Sequence, residues 1–151
     1  MDGETQLSEL CERLETTPIL DQDEARAMNR RAFAKAFKTW QPGQTYREAM
    51  GGLAILNQDE ETFRSELKSI DNDLSRQISI VNEALDSWFG KGETPPPYYA
   101  WRIAVILGKA MRKSEEARFL NAWCRHFSDW KGNRYEALAK RARKLNAAGF
   151  S

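Results

Sequence analysis

Apolar residues recur at three- and four-residue spacing along almost the whole chain, and this one regularity argues against a sheet-based fold. Leu7, Leu10, Cys11 and Leu14 stand at i, i+3, i+4 and i+7. They predict a short amphipathic helix that Thr16-Thr17-Pro18 ends. Ala25, Met28, Ala32, Phe33, Ala36, Phe37 and Trp40 form a longer stripe, with Asp21 or Asp23 as its cap and Gln41-Pro42-Gly43 as its break. Tyr46, Ala49, Met50, Leu53 and Leu56 predict a further helix, which Gly51 and Gly52 weaken by ~1 kcal/mol each. Phe63, Leu67 and Ile70 follow Asp59-Glu60-Glu61, whose charge suits a helix N-terminus. Beyond the centre, Phe119, Leu120, Trp123, Phe127 and Trp130 predict a strongly amphipathic helix. Lys131-Gly132-Asn133 interrupts the pattern, and Tyr135, Leu138, Ala142 and Leu145 predict a last helix. No alternating strand pattern of convincing length and no internal repeat is present. The expected fold is all-α, a helical bundle.

Composition narrows the class. A chain of 151 residues, 41% hydrophobic and 30% charged, is an ordinary globular mixture of about one domain. No apolar run approaches the ~20 residues of a membrane span. The acidic start, Met1-Asp2-Gly3-Glu4, lacks the basic region of a secretory signal. Cys11 and Cys124 are two lone cysteines, which make neither a disulfide framework nor a zinc site. The expected location is the cytoplasm. The net charge of +1 conceals a gradient. Residues 1–60 carry 7 basic and 11 acidic side chains (−4), residues 61–110 carry 6 and 7 (−1), and residues 111–151 carry 10 and 4 (+6). The expected organisation is an N-terminal helical region over 1–60, a central domain over 61–110 and a C-terminal helical pair over 111–151 with a basic last helix.

The stretch from Ile70 to Lys109 carries a tighter pattern. Leu74, Ser75 and Ile78 suit the buried positions of one helix, Ser79 a turn, and Ile80, Ala84, Leu85 and Trp88 the buried face of a second. Gly90 or Gly92, Pro95-Pro96, and Ile103-Ala104 with Leu107-Gly108 follow, and Pro95-Pro96-Pro97 forces a fresh helix start near Tyr98. On these residues, positions 61–109 resemble the lambda-repressor-like (Cro/cI, or XRE) helix-turn-helix family. The resemblance implies a helix-turn-helix whose second helix enters the major groove of DNA. The chain departs from the family at Ser79, where glycine is usual, and at Val81, which stands where the recognition helix is commonly capped. Asp71, Asp73, Glu83 and Asp86 add carboxylates that oppose phosphate binding.

On this reading Asn82, Glu83, Asp86 and Ser87 read base edges. Arg76, Lys91 and Arg102 contact the DNA backbone, joined by Lys131, Arg134, Lys140, Arg141, Arg143 and Lys144 of the C-terminal region. The implied function is sequence-specific binding of double-stranded DNA by a bacterial or phage transcriptional regulator. Proteins of this class commonly act as homodimers, and the aromatic stripe of Phe119–Trp130 is the candidate dimer element. The alternative is an adaptor or inhibitor, derived from a helix-turn-helix, that binds another protein and does not read DNA. No membrane, cofactor or metal is expected, and no enzyme. His126, the only histidine, stands two residues from Cys124, which puts the two on different sides of a helix. Its expected place is partly buried, near Trp123 and Phe127. Tyr98, Tyr99 and Trp101 are expected in the core too, with a protein-binding patch as the other reading.

Overall fold

The computed structural model describes residues 3–38 and 60–150. The helix expected over Tyr46–Leu56, Trp40 and the break at Gln41-Pro42-Gly43 lie outside them. All regular structure among the described residues is helical: α1 (Gly3–Thr16), α2 (Gln22–Lys38), α3 (Glu60–Ile70), α4 (Leu74–Lys91), α5 (Pro97–Lys109), α6 (Lys113–Phe127) and α7 (Asn133–Ala147). None of these is long and apolar enough to cross a membrane.

The predicted punctuation holds at most boundaries. Asp21 caps α2, its Oδ1 accepting the Asp23 amide at 2.7 Å. Pro97 opens α5, where a missing N–H costs nothing. Gly132, at φ 132°, separates α6 from α7. At the end of α5, Met111 N–H donates to the Gly108 carbonyl at 3.1 Å and Arg112 N–H to that of Leu107 at 2.9 Å. This is a Schellman closure, and Met111 occupies its left-handed position (φ 60°) where glycine is usual.

The expected turn at Ser79 is corrected by the structure. Leu74–Lys91 is one continuous helix of 18 residues. The physical reason lies in the phase of its apolar residues. Leu74, Ile78, Val81, Leu85 and Trp88 run at i, i+4, i+7, i+11 and i+14, so a single stripe crosses Ser79 unbroken. Val81 therefore sits buried inside the helix and needs no capping group. The cap is Asp73, whose Oδ1 accepts the Arg76 amide at 3.0 Å.

Two compact units are formed. The first comprises Met1–Ile19, Asn72–Ser79 and Pro97–Ser151, and the second Leu20–Asp71 and Ile80–Pro96. In the first unit α6 is the central helix. It packs against α1, α5 and α7, and α5 also meets α7. Its Phe119, Trp123 and Phe127 are buried, and Trp123 stacks on Tyr135 with ring centroids 6.4 Å apart. This corrects the expected dimer element, because the aromatic stripe of α6 is the core of its own unit. Polar links fasten the helices. Arg118 grips Glu15 with two hydrogen bonds, at 2.8 and 3.1 Å, which hold the Glu15 carboxyl below the usual carboxylate range. Asn121 and Asn146 exchange amide hydrogen bonds at 3.0 and 2.9 Å, joining α6 to α7.

In the second unit Ile80, Val81, Ala84, Leu85 and Trp88 of α4 are buried with Ala25, Ala36 and Ile70. Only part of the predicted α2 stripe is covered. Ala25 and Ala36 are buried, whereas Phe33 and Phe37 are exposed. Gly92 ends α4 at φ +68°, and a Cβ there would stand 2.0 Å from the Ala25 carbonyl oxygen. Glycine is required at this position twice over, for its conformation and for the approach of the α2 backbone.

Candidate functional site

Three helices of the first unit line an open cleft of about 590 Å³. Each contributes one face. From α5 come Trp101, Val105, Gly108 and Lys109, from α6 Lys113 and Glu116, and from α7 Ala137, Lys140, Arg141, Lys144 and Leu145. The α5 and α7 sets both follow the i, i+4, i+7, i+8 spacing of a single helix side. The lining combines an apolar part, Trp101, Val105, Ala137 and Leu145, with five cations and one carboxylate.

That carboxylate is not available to a ligand. Glu116 lies buried, its side chain 2% exposed, and accepts a hydrogen bond from Nε of Arg141. Arg141 also lies over the Trp101 ring, 5.6 Å from its centroid. Gly108 makes room for this pair, since a Cβ there would stand 2.5 Å from an Arg141 terminal nitrogen and 3.1 Å from a Glu116 oxygen. The guanidinium is thus held at one edge and on one face, with its two terminal nitrogens left over. A fork fixed in this way matches the geometry of a phosphate or carboxylate. Lys113 sits 5.9 Å from the centroid of the Phe150 ring. Among the described residues no carboxylate pairs with Lys109, Lys140 or Lys144. The first turn of α6 has no side-chain cap and carries Lys113 beside the carboxylates Glu115 and Glu116.

No family model, no curated protein and no solved structure matches this chain.

The residues singled out from the sequence scatter. Lys140, Arg141 and Lys144 meet in the cleft. Arg143 faces elsewhere, close enough to Cys124 to favour its thiolate. Arg134 lies over the Tyr98 ring, 5.0 Å from its centroid. Arg102 donates to Asn72 at 3.2 Å. Lys131 is exposed before α7, and Arg76 is half-buried in the first turn of α4. Asn82, Glu83, Asp86, Ser87 and Lys91 belong to the second unit, on the later part of α4 and at its end. Asn82, Ser87 and Lys91 are half-buried, while Glu83 and Asp86 are exposed. Lys109, Lys113 and Glu116 were not singled out, because each is unremarkable on its own helix and only packing gathers them.

Burial pushes the Cys11 and Cys124 thiols up to about 11, so both stay protonated at neutral pH. Nε2–H of His126 donates to the Leu14 carbonyl at 2.7 Å, and Arg125 donates to the Leu14 and Thr17 carbonyls at 2.9 and 2.7 Å. Together they close the C-terminus of α1. Burial lowers the His126 pKa. Among the described residues no group of three or more His, Cys, Asp or Glu stands ready for a metal ion.

Proposed function

We propose that this chain binds double-stranded DNA through backbone phosphates, as a DNA-binding regulator does, and that the cleft between α5, α6 and α7 is its grip. One observation carries the proposal: Lys109, Lys140 and Lys144, without carboxylate partners among the described residues, surround an arginine already held in place. Such a cluster repels itself unless an anion joins it, and phosphates joined by a chain supply several anions at fixed spacing. The proposal does not use a helix-turn-helix. The expected homodimer is left without the surface that the α6 stripe offered. Binding to another protein stands as the second reading, favoured by Glu83 and Asp86, two exposed carboxylates one turn apart on α4.

Fluorescence anisotropy of a labelled DNA duplex, measured at several salt concentrations, tests the proposal. The logarithm of affinity falls with the logarithm of salt by ~0.9 per phosphate neutralised. Lys109→Ala, Lys140→Ala and Lys144→Ala combined are expected to flatten that slope by about 2 to 3. Lys131→Ala with Arg143→Ala, outside the cleft, leave the cleft's share intact. A slope unchanged by the triple substitution refutes the proposal.

A further inference from the structure

The cleft is shaped for more than a row of phosphates. A duplex cannot enter a space of about 590 Å³, so its phosphates can only lie across the mouth. That volume falls within the ~300–1,000 Å³ of small-molecule sites, and its mixture of apolar wall and few fixed polar groups is also theirs. A bare anion would leave Trp101, Val105 and Leu145 facing water. A ligand that fills the cleft carries its charge at one end and an apolar or planar body at the other.

We propose that the α5–α6–α7 cleft binds a nucleoside phosphate, its phosphate on the Arg141 fork and the neighbouring lysines and its base against the Trp101 wall. The Arg141 guanidinium lies over the Trp101 ring, 5.6 Å from its centroid, so a cation and an indole share one wall of the cleft. A planar heteroaromatic ring can lie against such a wall, as bases do on aromatic and guanidinium planes in single-strand recognition. The Glu116 hydrogen bond uses Nε of Arg141 and leaves the terminal nitrogens for the phosphate. Exposed Lys109 and Lys144 balance the remaining charge. This inference rests on the reading that the cleft is an anion site. The nucleotide comes either free, as an effector, or as the unpaired 5′ end of a strand, and the chemistry of recognition is the same for both.

Isothermal titration calorimetry of the full chain with adenosine 5′-monophosphate, adenosine and inorganic phosphate tests it. The monophosphate is expected to bind at least tenfold more tightly than either of its halves. Lys109→Ala with Lys144→Ala, both at exposed positions, is expected to weaken the monophosphate at least tenfold. Trp101→Phe is expected to weaken it about fivefold and to leave inorganic phosphate unchanged. Competition by a short single strand then names the source. Displacement by the 5′-phosphorylated strand, and not by the same strand unphosphorylated, identifies a strand end; no displacement by either identifies the free nucleotide. Equal binding of phosphate and monophosphate overturns the inference, as does a monophosphate affinity indifferent to the lysines. Salt-dependent duplex binding in a protein that takes no monophosphate sinks this inference alone, whereas duplex binding untouched by the triple lysine substitution sinks the DNA reading.

Discussion

Arg141 and Glu116 form one ion pair, yet their removal is expected to have unequal costs. Glu116 is buried, its side chain 2% exposed, whereas that of Arg141 is 31% exposed. Arg141→Met strands a carboxylate that is almost wholly desolvated, and breaking a buried pair in this way costs ~3–5 kcal/mol. The cleft beside it admits some water, so the lower end, about 3 kcal/mol, is the expectation. Glu116→Gln keeps shape and an amide oxygen for Nε to meet. The arginine loses charge assistance but retains solvent and the Trp101 face, and about 1 kcal/mol is expected. The double variant Glu116→Gln, Arg141→Met removes the stranded charge, so it is expected to cost less than Arg141→Met alone. Urea unfolding of the four proteins at pH 7 reads all three differences on one cycle. Equal costs for the two single variants, or additive costs in the double, would refute the account of Glu116 as the desolvated partner.

Other substitutions test the backbone and the core. Gly92→Ala combines a left-handed conformation, ~1–2 kcal/mol, with a Cβ against the Ala25 backbone, so ~3 kcal/mol or more is expected in urea unfolding. Gly90→Ala, two residues earlier and with nothing within 4 Å of its added Cβ, is expected to stabilise by up to ~1 kcal/mol. Met111→Gly relieves a left-handed methionine that is 74% exposed, and a gain of about 0.5–1 kcal/mol is expected in thermal or urea unfolding. For His126 the folded pKa lies below the ordinary value of about 6.5, so on acidification the unfolded chain takes the proton first. Its contribution to stability is therefore complete above about pH 6.5 and is lost as pH falls below it. A His126→Gln variant, which still offers an N–H to Leu14, is expected to flatten the stability profile between pH 7.5 and 5.5; an unchanged slope counts against the assignment.

The helices were legible because period and punctuation are local. The apolar positions of α1, α6 and α7, the fresh start after Pro95-Pro96 and the break at Lys131-Gly132 are all written within a turn or two of where they act. Even in α4 the buried residues Ile78, Ile80, Ala84, Leu85 and Trp88 were read correctly. The break expected at Ser79 is not there, because the apolar stripe keeps its phase across that residue. The cleft was legible only in part. The charge of the C-terminal region pointed to Lys140, Arg141 and Lys144, but Glu116 reads in sequence as an ordinary acidic residue near a helix start. Its burial follows from the meeting of α5, α6 and α7, which no short window contains. Gly108 held the available hint: a glycine inside a helix marks a close neighbour.

The placement of α1 has a consequence for how the chain is made. Its apolar side, Leu7, Leu10, Cys11 and Leu14, is buried in a unit whose central helix is α6, and the Arg118–Glu15 link spans 103 residues. Translation proceeds at ~5–20 residues per second, so α1 emerges about 5–20 s before the helix that covers it. For that interval a four-residue greasy stripe is displayed on a nascent chain. Its nine polar neighbours, with Glu4, Glu9, Glu12 and Glu15 among them, keep the waiting helix in solution.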